Sequence, residues 1–292
     1  MDAVKAVAAL MLVVAVVGGC GRVAQVFRRE IAVFHPPHGP IARPPAFGAL
    51  AALLDVTFSS AKGAQLRGWM LPSRNGATII MTHGSEGDRR QLLPQASMLS
   101  ERGYGVLLFD WPGHGESSGR VVWGDGERLA LAAAIDFVAA QAGHDGARIG
   151  ALGFSMGGAI VAQVAAYDSR LRAVVLEGTF ADAVEQTRYM YGRSGIVLQW
   201  PARLGDWWAG MDLAAMRPID AVGAIAPRPL LLIGGAQDPV VPAWMVRHLY
   251  DAARDPKEIW IVPDAGHGEY QRLAAEEYAA RIGAFFDHAL GI

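Results

Sequence analysis

Three residues of this chain have the types and spacing for nucleophilic attack on a carbonyl: Ser155, Asp238 and His267. Ser155 sits in Gly153-Phe154-Ser155-Met156-Gly157, between the apolar run Ile149–Leu152 and a small-residue helical pattern from Gly158 to Ala162. That context, strand then sharp turn then helix, is the one in which a G-x-S-x-G match forms a nucleophile elbow. A strained backbone at the tip of such a turn pushes the hydroxyl out over the edge of a sheet. Strand and helix crowd the positions two before and two after the serine, which explains why Gly153 and Gly157 carry no side chain. The helix that follows aims its first N–H groups and positive dipole end at the place where an oxyanion would form.

A serine hydroxyl needs a base, and the base needs an acid to fix its tautomer. Asp238 lies in Gln237-Asp238-Pro239-Val240-Val241-Pro242, just after the apolar run Pro229–Gly234. His267 lies in Pro263-Asp264-Ala265-Gly266-His267-Gly268, after the run Glu258–Val262. Taken singly, Asp238 suits the cap of a helix starting near Pro242, and His267 suits an ordinary loop. Their order after Ser155 and their places at strand ends instead make an expected triad of Ser155, Asp238 and His267. Glu177, which ends the strand after the elbow helix, is the rival acid; Asp264 is too near His267 in sequence to orient it. His83-Gly84-Ser85 supplies the second half of an oxyanion hole, so the expected donors are the backbone N–H groups of Ser85 and Met156. His83 and the Gly113-His114-Gly115-Glu116-Ser117 turn are expected to be structural.

The elements that must position these residues are legible as apolar runs. Val56–Phe58 and Leu66–Leu71 alternate as a hairpin, joined by the Ser59–Gly63 turn. Ala77–Thr82, Gly105–Asp110, the elbow strand, Ala173–Glu177, Pro229–Gly234 and Glu258–Val262 read as buried strands. Helices are expected over about Leu92–Arg102, Gly126–Gln141, the stretch after the elbow, and Glu269–Leu290. Alternation at this spacing means an α/β fold with a mainly parallel central sheet covered by helices on both faces. Ligand sites in such sheets lie beyond the carboxyl ends of the strands, where every polar cluster above falls.

The ends and the composition bound the rest. The 292 residues, 52% hydrophobic, suit one large domain, with a formal net charge of −2 and no Lys/Arg-rich block to suggest nucleic acid as a partner. The single cysteine, Cys20, and the scattered histidines offer no disulfide framework and no metal site, and no cofactor is expected. Residues 1–30 read as an anchor: Ala6 to Gly21 is uncharged between Lys5 and Arg22. Val17-Gly18-Gly19-Cys20 resembles a bacterial lipobox with Cys20 as the lipidated residue, whereas Val23–Ile31 reads as a continuing amphipathic helix rather than a polar tether, so a lipoprotein signal and a short signal anchor are both expected readings. Membrane attachment through the N-terminus follows from either. Residues 31–52, with the proline-rich run to Pro45, are expected as a surface linker, and 53–292 as the catalytic domain.

The motifs His83-Gly84, Asp110…Gly113-His114-Gly115-Glu116-Ser117, Gly153–Gly158, Gln237–Pro242 and Gly266-His267-Gly268 together resemble the α/β-hydrolase superfamily from about Leu53 to Ala289. They look most like its membrane-anchored serine hydrolases with an esterase-like or dipeptidyl-peptidase-type core. One departure is Pro112, where the related loops often carry arginine, so a loop-anchoring ion pair does not carry over. The resemblance implies a serine hydrolase that cleaves carboxylic esters or thioesters through an acyl-enzyme. The alternatives are a serine peptidase of the same fold and a non-catalytic, membrane-tethered binding protein. About 180–218 is expected as a short helical cap, in which Trp207 and Trp208 line an apolar acyl slot for a small-molecule or lipid-like ester; core-packed helices are the competing reading of that segment.

Overall fold

The computed structural model describes residues 21, 36, 38–46, 48–141, 148–192 and 213–292. Eight strands form one sheet in the order β1-β2-β4-β3-β5-β6-β7-β8. They are β1 (Leu54–Ser59), β2 (Gln65–Leu71), β3 (Thr78–Thr82), β4 (Gly105–Phe109), β5 (Ile149–Phe154), β6 (Leu171–Glu177), β7 (Leu230–Gly235) and β8 (Lys257–Val262). The hairpin β1–β2 is antiparallel and joins β4 antiparallel; all other pairs are parallel. This is the mainly parallel α/β sheet anticipated from the apolar runs, in the α/β-hydrolase form that the motif resemblance implies.

Each central strand is buried on both faces, because its residues alternate between two hydrophobic layers. Ile80, Leu107, Ala151, Val174 and Leu232 face the layer that also holds α2 (Asp125–Ala139), α3 (Met156–Ala165) and α5 (Ala243–Ala252). Ile79, Val106, Leu108, Leu152 and Val175 face the opposite layer, closed by α1 (Leu93–Glu101) and α7 (Ala275–Leu290). The register lines up Ile80, Leu107 and Ala151 across three strands, so a one-residue slip of any of them would exchange the two layers.

Two details differ from the sequence reading. The C-terminal helix is two: α6 (Tyr270–Leu273) and α7 are separated at Ala274, whose φ of −132° and ψ of 47° leave the helical region. The break lets the first turn direct Tyr270 inward while α7 runs along the sheet; Tyr270 is 1% exposed. The described residues of the proline-rich segment are fastened to the domain. His38 pairs with Gly115 in a parallel bridge, Gly39 N donates to Gly115 O at 2.8 Å, and Ile41 N donates to Glu116 Oε1 at 3.1 Å.

In the segment about 180–218, α4 (Ala183–Gly192) follows β6. Its flanks are core: Phe180, Ala181, Ala183 and Met216 are buried with α3. Trp207 and Trp208 lie outside the described residues, as do Cys20 and almost all of the expected anchor. Among the described residues no helix is long and apolar enough to cross a membrane.

Candidate active site

Ser155 caps α3 with φ 53° and ψ −118°, a left-handed conformation that costs a non-glycine residue on the order of 1–3 kcal/mol. The surroundings hold it there. Ser155 N donates to Glu177 O at 2.8 Å, its carbonyl accepts from Ala159 N at 3.1 Å, and a Cβ on Gly157 would lie 2.5 Å from both the Thr82 and His83 carbonyl oxygens. A Cβ on Gly153 would lie 2.6 Å from Gly158 Cα, so the crowding inferred from the motif is present on both sides of the serine. Ser155 itself is half-buried, whereas its neighbours Phe154 and Met156 are buried.

The loops after β7 and β8 bring Asp238 and His267 together. Gln237 N donates to Ala265 O at 3.0 Å, which ties the two loops edge to edge. His267 Nδ1 lies 2.7 Å from Asp238 Oδ2; the aspartate side chain is fully buried and the imidazole 18% exposed. Val240 N and Val241 N both donate to Asp238 Oδ1 at 2.8 Å, so the acid is pinned by backbone before the histidine meets it. With Nδ1–H donating to the carboxylate, Nε2 keeps its lone pair and can accept a proton. The imidazole rests on Phe154, the residue before the serine, with ring centroids 4.7 Å apart.

Glu177, the rival acid, has a different partner. Its carboxylate accepts a short hydrogen bond from Tyr278 Oη on α7 and is 1% exposed. Burial without a cation raises its pKa to about 7, against the smaller opposing effect of the tyrosine.

The loops that carry the expected oxyanion donors are held by side chains. Met156 is the first residue of α3, so its N–H has no acceptor inside the helix. On the other loop, His83 is 2% exposed, with Nδ1 2.7 Å from Gly84 O and Nε2 accepting from Trp111 N at 3.2 Å. One ring nitrogen donates and the other accepts, which is the neutral imidazole. Burial first, and then the neighbouring His114, lower its pKa to about 3. His114 Nε2 reaches Ser85 O at 2.8 Å and thereby couples the 113–117 turn to the oxyanion loop.

The ion pair not expected at Pro112 is present, but its arginine comes from another loop. Arg89, beyond β3, bridges two carboxylates: Nη1 meets Asp110 Oδ2 at 2.5 Å and Nη2 meets Glu116. Arg89 N also donates to Asp110 Oδ1 at 2.8 Å, and the guanidinium lies 4.5 Å from the Trp69 ring centroid. Nothing in the spacing marks Arg89, which follows His83-Gly84-Ser85-Glu86-Gly87 by two residues in an otherwise polar loop. Tyr270 was missed as well: its hydroxyl is 3.3 Å from Asp238 Oδ2. The one signal was an aromatic residue three positions after the candidate base.

The first half of α4 lies against the acid's loop. Gln186 Nε2 donates to Val240 O at 2.6 Å, and Tyr189 meets Trp244 edge-on with centroids 6.2 Å apart.

Comparison with known proteins agrees with this architecture. The family model described as alpha/beta hydrolase fold matches residues 77–193. The uncharacterized protein YfhR of Escherichia coli K12 is 31% identical over 271 residues, covering 90% of this chain and 88% of that one. The alpha/beta hydrolase domain-containing protein WAV2 of Arabidopsis thaliana is 26% identical over 243 residues, covering 77% of this chain and 75% of that one. Among solved structures, the Pyrococcus furiosus esterase Pf2001 superposes with a TM-score of 0.74 at 22% identity, covering 88% of this chain and 98% of that one.

Proposed function

The chain belongs to the α/β-hydrolase family, and from that premise we propose that it is a serine hydrolase cleaving carboxylic esters or thioesters through an acyl-enzyme. The observation that carries the reading is the pairing of a strained, half-buried Ser155 on its elbow with the Asp238–His267 hydrogen bond on the adjoining loops. Ser155 Oγ attacks the substrate carbonyl while His267 Nε2 takes its proton; Asp238 holds Nδ1–H and stabilises the imidazolium that forms. The carbonyl oxygen becomes an oxyanion facing the Ser85 and Met156 N–H groups. Collapse expels the alkoxide or thiolate, which leaves with the proton from His267, and the acyl group stays on Oγ. Water then repeats the sequence, giving its proton to His267 and its oxygen to the acyl carbon, and Ser155 Oγ leaves with that proton.

The substrate class proposed is a small or lipid-like acyl ester, and Trp207 and Trp208, which lie outside the described residues, keep their proposed part in an acyl slot. Attachment to a membrane through the N-terminus, whether by an uncleaved anchor or by lipidated Cys20, belongs to the same proposal. The deciding experiment is labelling by a fluorophosphonate probe, with turnover measured on p-nitrophenyl esters, acyl-CoA thioesters and aminoacyl anilides. Labelling at Ser155 with ester or thioester turnover supports the reading. Anilide turnover exceeding both would move it to peptidase, and neither labelling nor turnover would leave a binding protein.

A further inference from the structure

We propose that Tyr270 is a positioning residue that sets the basicity of His267 through Asp238, by donating its hydroxyl to the carboxylate oxygen that also receives the imidazole. The proposal rests on the triad reading above and concerns the control of that same site.

Three observations carry it. First, Tyr270 Oη lies 3.3 Å from Asp238 Oδ2, and His267 Nδ1 lies 2.7 Å from the same oxygen. The other oxygen, Oδ1, is already occupied by Val240 N and Val241 N. Among the described residues Asp238 thus meets four donors, two on each oxygen, and Tyr270 is the only side chain among these besides the histidine. Second, Tyr270 is 1% exposed and Asp238 5%, so bulk water competes little for this oxygen and the bond acts in a low-dielectric environment. Third, the place is built for both rings. Gly178 follows β6 with φ 52°, and a Cβ there would stand 2.6 Å from Tyr270 Oη and 3.1 Å from His267 Cε1. The absent side chain is the floor on which the hydroxyl and the imidazole sit side by side.

The titratable groups facing Tyr270 are Asp238 from the loop after β7, Glu177 at the end of β6 and, one step further, Tyr278 of α7 bonded to Glu177. Tyr278 serves Glu177, leaving Tyr270 as the hydroxyl assigned to the acid of the triad.

The electrostatic consequence has a definite sign. A hydroxyl donating to Oδ2 withdraws part of the negative charge that would stabilise a protonated His267. Its removal leaves a more negative carboxylate, a better-stabilised imidazolium and a base that is captured by its own proton at higher pH. A tyrosine with only a packing role would lower stability and leave this proton affinity unchanged.

The test uses the full chain with Tyr270→Phe, and Tyr278→Phe as the control that also loses one buried hydroxyl. Both variants should melt lower. Only Tyr270→Phe should move the acid limb of kcat/KM upward, by about half a pH unit or more, with KM for the ester within about twofold of the parent. The same shift should appear as a raised His267 titration midpoint in proton NMR on a Ser155→Ala background, where no turnover is needed. An acid limb and a titration midpoint that both stay where the parent's are, or that move equally in Tyr278→Phe, would overturn the proposal. If Tyr270→Phe does not fold, the parent protein answers instead. A Tyr270 hydroxyl proton protected from exchange and close in space to the His267 Nδ1 proton supports the assignment; a hydroxyl exchanging freely with solvent refutes it. Ester turnover surviving in Ser155→Ala would instead defeat the triad reading, whatever Tyr270 does.

Discussion

Replacing Glu177 by glutamine should make the protein more stable at and above neutral pH and should barely touch its chemistry. Glu177 is buried at the end of β6, and its pKa rises from 4.5 to about 7 chiefly because burial penalises the charge. In the unfolded chain the carboxyl ionises near its ordinary value. Between those two values the unfolded state releases a proton that the folded state keeps. The stabilising preference for the neutral acid is therefore fully present below about pH 4.5 and is lost as pH rises through about 7. The difference corresponds to roughly 3 kcal/mol at about 1.36 kcal/mol per pKa unit, for a side chain with no solvent to screen it. Glutamine keeps an oxygen to accept from Tyr278 Oη and has no proton to lose, so this loss should vanish.

The measurement is urea unfolding of the parent and Glu177→Gln at pH 5, 6, 7 and 8. The stability gap in favour of the variant should widen across the lower part of that range and level off above about pH 7, reaching roughly 3 kcal/mol over its value at low pH. Parallel pH dependence in the two proteins would refute the claim that Glu177 is a buried, neutral acid. A loss of turnover in Glu177→Gln as deep as that in Asp238→Asn would refute the assignment of Asp238 as the acid that serves His267.

The other expectations can be tested on the same preparations. Ser155→Ala should abolish fluorophosphonate labelling and reduce ester turnover by several orders of magnitude with the fold intact, as circular dichroism would check. Asp238→Asn should cut kcat by about 10⁴-fold, because His267 then loses the partner that holds Nδ1–H; an effect under tenfold would be inconsistent with that role. Arg89→Met should destabilise by about 3–5 kcal/mol by leaving Asp110 buried without its cation, and adding Asp110→Asn should recover much of it, a double-mutant cycle read by urea unfolding. Radiolabelled palmitate should be incorporated and lost in Cys20→Ser if the chain is a lipoprotein; membrane-bound protein without label would indicate an uncleaved anchor, and the intact chain in the soluble fraction would defeat both.

The sheet was legible because burial on both faces leaves an unambiguous trace. Runs such as Thr78–Thr82 and Gly105–Phe109 have no polar face to confuse with a helix, and the chain between them is long enough for only one crossover. Ser155, Asp238 and His267 stood out as candidates because each stands at the carboxyl end of such a run, where chain order places a loop beyond the sheet. Asp238 and His267 met as expected. Arg89 and Tyr270 were not legible, and for a common reason. Each acts through a contact remote in sequence, on Asp110 in one case and Asp238 in the other, with |i−j| of 21 and 32. An arginine in a polar loop and a tyrosine at a helix start both read as ordinary surface residues until the tertiary fold buries them. The break at Ala274 was hidden by the strength of alanine as a helix former, which tertiary packing overrode.

The three carboxylates buried around this site show how environment divides their work. Asp110 faces a guanidinium and two backbone N–H groups, a set of donors that opposes the burial raising its pKa and suits a loop anchor. Glu177 has one phenol and no cation, so it is most stable uncharged and offers nothing to an imidazolium. Asp238 lies between these extremes. Two backbone N–H groups hold one oxygen, and the other is shared by an imidazole and a phenol, with no Lys or Arg paired to it among the described residues. On the triad reading proposed above, that arrangement leaves one carboxylate oxygen of Asp238 to serve the imidazole while the backbone holds the other.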